Sequence, residues 1–199
     1  MGKMLCTVTV FIAFGVSLMS VCFADTVHAQ TREQYENAAA QGDVDTQINL
    51  GRMYYSGEGA RQDYTKAKEW FEKAAAQGVV GAQALIGRMY YDGEGVEQDY
   101  AKARMWFEKA AAQGHPHARL HLGYMCYRGE GVRQNYSKAR VWFEKAAEQG
   151  NANAQFSLGV MYNNGEGVRQ NRVNAKEWFG RACDNGLQQG CDAYKQLNR

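Results

Sequence analysis

The chain has no block of basic residues and little net charge: 23 Lys and Arg stand against 21 Asp and Glu, leaving +2. Without a basic face interleaved with aromatics, nucleic acid is disfavoured as a partner. Low-complexity segments are absent, and the 22 glycines mark no linker because they recur at fixed places. Motifs that announce chemistry are also missing. There is no His-Glu-x-x-His frame, no Lys-Ser/Thr after a glycine loop to cradle phosphate, and no acid-rich calcium loop. No Cys-x-x-Cys suggests an activated thiol pair.

What the chain does have is repetition. Its tryptophans are Trp70, Trp106, Trp142 and Trp178, spaced by 36 residues each time. Leu50, Ile86, Leu122 and Leu158 keep the same step, as do Met53, Met89, Met125 and Met161. Gly-Glu-Gly triplets start at Gly57, Gly93, Gly129 and Gly165. A period of this length means that each unit is one supersecondary element that buries its apolar face only by stacking on its neighbours.

Each copy contains two helical patterns. Ala82, Ile86, Met89 and Tyr90 form one stripe, and Ala67, Trp70, Phe71 and Ala74 form another. This register predicts that the Trp-Phe pairs lie in the core and that Lys66, Lys68, Glu69, Glu72 and Lys73 face water. Gly57 is placed to stop the first helix in a left-handed turn. Asp63, Asp99, Asn135 and Asn171 are placed to cap the second.

The pattern L-G-x-M-Y-x-x-G-E-G-V-x-Q-D-Y-x-K-A-x-x-W-F-E-K-A-A-x-Q-G resembles the Sel-one-like repeat (SLR) family, an α/α relative of the tetratricopeptide repeat. The resemblance runs from about residue 33 to the C-terminus. It implies an all-α fold, a right-handed superhelical solenoid of about ten helices, with the first helices lining a concave wall. Units are expected at about 42–77, 78–113, 114–149 and 150–185, with half-units at 31–41 and 186–199.

Residues 1–29 stand outside the repeat. Lys3 precedes an apolar run from Met4 to Ala24, and Val27-x-Ala29 fits a signal-peptidase site. The expected mature chain starts at Gln30 and is periplasmic or secreted, with no stable membrane insertion. An uncleaved anchor is the alternative, since the run approaches spanning length. A lipoprotein reading of Cys22 meets a poor fit at Val21.

Cys183 stands where earlier copies have Ala75, Ala111 and Ala147. Cys191 stands where they have Gln47, Gln83, Arg119 and Gln155. One falls in the last turn of a helix and the other in the first turns of the next, which suits a disulfide in an oxidising compartment. The segment also resembles the Cys-x7-Cys element of a cysteine-rich secreted branch of the family. A catalytic thiol pair is the alternative. Cys126 takes the slot of Tyr54, Tyr90 and Tyr162 and reads as a buried free thiol; intermolecular pairing is its other reading.

Comparison of the copies locates a candidate site. Along the first helix, the stripe reads Asp45, Asn49, Arg52, Ser56, then Gly81, Leu85, Arg88, Asp92. It continues as His117, His121, Tyr124, Arg128, and then Asn153, Ser157, Val160, Asn164. No other stripe changes so much in character. Arg52, Leu85, Arg88, His121, Tyr124 and Arg128 are therefore the expected partner-binding residues, with Tyr55, Tyr91 and Tyr127 beside them. A stripe that is merely solvated and free to drift is the competing explanation. His115, His117 and His121 have a spacing that could hold Zn²⁺ or Cu²⁺, but no carboxylate or thiol ligand accompanies them, so neither metal nor cofactor is expected.

The functional expectation is an exported, monomeric scaffold or adaptor that binds a protein or peptide in a concave groove, with no catalytic residues. Family association supplies one alternative, weak β-lactam binding or hydrolysis. The chain lacks the S-x-x-K of serine β-lactam chemistry, because Ser56, Ser137 and Ser157 have no lysine three residues on.

Overall fold

The computed structural model describes residues 34–197. The expected signal segment 1–29 and its cleavage point lie outside the described residues. Within them the chain forms ten helices and no strand. They are α1 (34–40), α2 (Val44–Ser56), α3 (Tyr64–Ala76), α4 (Val80–Asp92) and α5 (Tyr100–Ala112). Then follow α6 (Pro116–Arg128), α7 (Tyr136–Ala147), α8 (Ala152–Asn164), α9 (Arg172–Asp184) and α10 (Gln188–Gln196).

Helices of 12 or 13 residues are marginal alone, so their ends and faces must be satisfied by context. Asp63, Asp99, Asn135 and Asn171 each accept the backbone N–H of the residue three positions on, as their N-cap placement requires. Gly57 ends α2 at φ 80°, a left-handed conformation that a side chain resists, and its N–H donates to the Met53 carbonyl. The same cap recurs at the other three triplets.

Each helix packs on the next one in the chain, so the pairs α2/α3, α4/α5, α6/α7 and α8/α9 stack into a solenoid. At the centre of the stack α4 also packs directly on α6, whereas α5 and α7 do not approach to that extent. At this point of the stack the first helices are therefore closer together than the second helices.

Phe71, Phe107 and Phe143 are fully buried with Leu50, Ile86, Leu158 and the repeat methionines Met89, Met125 and Met161. Each phenylalanine reaches its position because the facing first helix has glycine there. A Cβ on Gly51 would lie 2.4 Å from Phe71, and one on Gly123 would lie 2.4 Å from Phe143. The tryptophans differ from the sequence expectation. They are half-buried and rest against the core from outside, each under a cation: Lys73 lies 3.8 Å above Trp70 and Lys109 lies 4.3 Å above Trp106. Lys145 and Arg181 cover Trp142 and Trp178 in the same way. A wide indole on the edge of the stripe meets the next helix with one side only, and the long cation shields part of the rest.

Buried polar groups brace the stack. Gln47 donates to the Ala39 carbonyl at 3.0 Å, and Gln155 donates to Ala147 at 3.1 Å. In the third unit Arg119 makes the corresponding bond to Ala111, at 3.4 Å. In the last unit these two positions are Cys191 and Cys183, and they are joined as a disulfide with Cα atoms 4.5 Å apart. The covalent bond thus replaces a hydrogen bond at the same place in the repeat. It ties α10, which has no following helix among the described residues, to α9. Among the described residues no helix is long and apolar enough to cross a membrane.

Three stability tests follow from this packing. Gly123→Ala forces a methyl group into the Phe143 ring and should cost about 1–3 kcal/mol in chemical denaturation. Gly81→Ala, where a Cβ meets nothing within 4 Å, should leave stability unchanged or slightly raised. Reduction of Cys183–Cys191 should destabilise by about 2–3 kcal/mol, read as a lower denaturation midpoint with reductant than without.

Candidate functional site

Four of the six expected partner-binding residues meet at one place. Arg52 of α2, Leu85 and Arg88 of α4, and His121 of α6 line a concavity of about 300 Å³, together with Phe107, His115 and His117. The 36-residue step on short helices puts them there, because equivalent positions on successive first helices lie side by side. Tyr124 and Arg128 lie further along α6, outside this concavity. Tyr124 packs edge-on against Phe143 at 5.3 Å, and Arg128 lies 5.2 Å over the Tyr124 ring. Ser157 Oγ is 3.4 Å from the Tyr124 hydroxyl but donates its proton to the Asn153 carbonyl at 2.8 Å.

His121 is held tightly. Its ring stacks on Phe107, with centroids 4.7 Å apart and planes 3° from parallel, and it meets Tyr91 edge-on. Burial pushes its pKa down to about 4, with further depression from His117, Arg88, Arg128 and His115. It is therefore a neutral aromatic surface at neutral pH. His115 instead serves the helix end. Its Nδ1 accepts from Ala118 N–H at 3.3 Å and caps α6, and burial lowers its pKa. The histidines thus have separate roles, and among the described residues no group of three His, Cys, Asp or Glu could hold a metal ion.

Sequence reading missed one network. Tyr55 donates to Glu94, Tyr91 to Glu130, and Tyr127 to Glu166, each pair 39 residues apart. The glutamate of every Gly-Glu-Gly turn after the first thus fastens its loop to the preceding unit. Arg88 in turn donates to the Tyr55 hydroxyl, and Arg128 donates to that of Tyr91 at 3.2 Å. Burial and the facing carboxylate raise the Tyr55 and Tyr127 pKa values to about 12 and push that of Tyr91 up as well, so all three phenols remain donors. Tyr55, Tyr91 and Tyr127, expected beside the groove, are inter-unit ties. The available signal was the constant Tyr-to-Glu spacing of one period plus three residues.

Cys126 also departs from expectation. It is free, as expected, but half-buried rather than sealed in the core. It lines a pocket between α5 and α7, and burial raises its pKa.

The His121 depression sets a pH test. Its folded pKa lies below its unfolded value near 6.5, so its contribution to stability is complete above about pH 6.5. That contribution is lost as pH falls from there toward 4. His121→Leu, which copies Leu85 of the preceding unit, should flatten the wild-type decline in this window when denaturation is measured at successive pH values.

Comparison with known proteins agrees with this architecture. Residues 44–79, 80–115, 116–151 and 152–187 each match the Sel1 repeat. The chain is similar to a protective antigen of uropathogenic Escherichia coli strains displaying an SLR fold, with 40% identity and a TM-score of 0.76. That match covers 80% of this chain but 34% of the antigen, so the chain spans about a third of that protein. A Sel1 repeat protein from Oxalobacter formigenes is 30% identical with a TM-score of 0.73, over 82% of this chain and 69% of that one. Helicobacter pylori cysteine rich protein B is 25% identical with a TM-score of 0.51, over 63% of this chain and 95% of its own. Among curated proteins none matches the chain.

Proposed function

The chain belongs to the Sel1 repeat family, whose units mediate protein–protein interaction, and from that premise we propose that it is an exported bacterial interaction module. It acts as a scaffold or adaptor, in the periplasm or outside the cell, and holds an extended segment of a partner protein along its first helices. The observation that carries this reading is the concavity formed by Arg52, Leu85, Arg88 and His121. Two guanidinium groups line it and no carboxylate does, so an acidic side chain suits one end. Leu85 and the neutral ring of His121, which is backed by Phe107, suit an apolar residue beside it. Arg and aromatic groups of this kind dominate interface energetics. Tyr124 and Arg128 would extend the contact surface along α6.

Two features support export. The Cys183–Cys191 bridge is of the kind that oxidising compartments preserve. The apolar run before residue 30 has the form of a secretion signal.

Partner capture from envelope extract tests the proposal. Arg52→Glu combined with Tyr124→Ala should lower affinity for the captured protein by more than about tenfold, with helix content unchanged by circular dichroism. Arg52 is exposed and lies outside the tyrosine–glutamate ties, so its loss should not unfold the stack. Undiminished recovery of every partner by the folded double variant would overturn the groove assignment.

A further inference from the structure

The unit containing Cys126 differs from its sisters in one side chain and in the space beside it. In the first unit, Tyr54 sits between neighbouring second helices. Its hydroxyl donates to Glu36 at 2.5 Å, and the Lys66 ammonium lies 5.1 Å over its ring. In the second unit, Tyr90 has Lys68 at 5.8 Å and Lys102 at 5.4 Å from its ring centre. The two units together show what can surround a phenol at this position: cations from two successive second helices against the ring in the second unit, and a carboxylate accepting from the hydroxyl in the first.

The third unit carries side chains of the same kind at all three positions. Arg104 stands at the position of Lys68, Lys138 at the position of Lys66 and Lys102, and Glu108 at the position of Glu36. Only the phenol is replaced, by the short thiol of Cys126. The corresponding pocket measures about 780 Å³ and is lined by Arg104, Glu108, Met125, Cys126, Lys138 and Trp142 among others. Its counterpart in the first unit, where Tyr54 contributes the ring, measures about 520 Å³. Arg104 and Glu108 hold each other loosely. Their nearest approach is 3.5 Å, at Arg104 Nε. The equivalent pairs, Lys68–Glu72 and Arg140–Glu144, close to 2.8 and 2.6 Å.

We propose that this pocket is a binding site for a small para-substituted phenol. The ring takes the place that tyrosine occupies in the other units, against Lys138 and Arg104. Its hydroxyl donates to Glu108, and the Cys126 sulfur meets its edge. The pocket opens between α5 and α7, away from the first-helix groove, so this assignment is independent of the partner proposed above. Its volume falls in the range of small-molecule sites. Its recognition combines cation–ring attraction with a hydrogen bond to a charged acceptor.

The test uses p-cresol, which is the tyrosine side chain as a free molecule, with alkylation of Cys126 by iodoacetamide followed by peptide mass spectrometry. We expect p-cresol to protect Cys126 with a dissociation constant of about 1 mM or tighter. Toluene, which has the ring without the hydroxyl, should protect at least about tenfold less well, and Glu108→Gln should weaken p-cresol by about tenfold. Cys126→Tyr restores the residue of the other three units and should fold normally, yet give no heat of p-cresol binding by calorimetry. Failure of p-cresol to protect at about ten times that concentration would overturn the proposal. Equal protection by toluene, or an unchanged binding heat in Cys126→Tyr, would do so as well.

Discussion

A phenylalanine ring lies where the facing glycine would otherwise carry a methyl group, and the stack rests on that contact. Phe71, Phe107, Phe143 and Phe179 each press on a glycine of the first helix in the same unit, with 2.4–2.7 Å between the ring and an imagined Cβ. Removing one carbon from one helix lets the other insert a whole ring, and close packing amplifies the effect. The pair of helices then presents a fixed outline to its neighbours. Ala67, Ala74 and their equivalents allow the next first helix to approach, and the period propagates.

Polar contacts set how one unit follows another. The tyrosine–glutamate ties fasten each loop after the first to the unit before it, and the Gln47 and Gln155 braces fasten α2 and α8 to the helix before each. Both kinds lie partly or wholly out of water, where satisfied polar groups specify one arrangement and unsatisfied ones are costly. The chain varies these devices without abandoning them. Arg119 does the work of a glutamine in the third unit, and a disulfide does it in the last, where stacking on one side is missing among the described residues. Arg88 belongs to a tie and lines the concavity at once, and Arg128 belongs to a tie further along α6. A partner that draws on either arginine therefore also touches the joint between units.

The fold was legible in the sequence because repetition supplies its own alignment. Period, helix pairs, caps at Asp63 and its equivalents, turns at Gly57 and its equivalents, and the Cys183–Cys191 pairing could all be read one position at a time. The site was legible only in part. Variation among copies picked out Arg52, Leu85, Arg88 and His121, which the structure brings into one concavity. The same comparison grouped Tyr124 and Arg128 with them, although they lie further along the wall. Helical periodicity gives the direction of a side chain but not how far a neighbouring helix covers it. The tryptophans, expected in the core, are for that reason half-buried under cations, and Cys126, expected to be sealed, borders a pocket.

The sequence by itself determined the local rules: where each helix starts and stops, which face is apolar, and which positions break step. These depend on residues within one turn or one period of each other, so no neighbour was needed to read them. Tertiary structure decided which residues meet across units: Tyr55 with Glu94, His121 with Phe107, and Cys126 with Arg104 and Lys138. Those meetings depend on the angle and distance at which one helix pair settles on the next. That geometry is the joint result of glycine gaps, ring packing and inter-unit hydrogen bonds, and no single position in the repeat carries it.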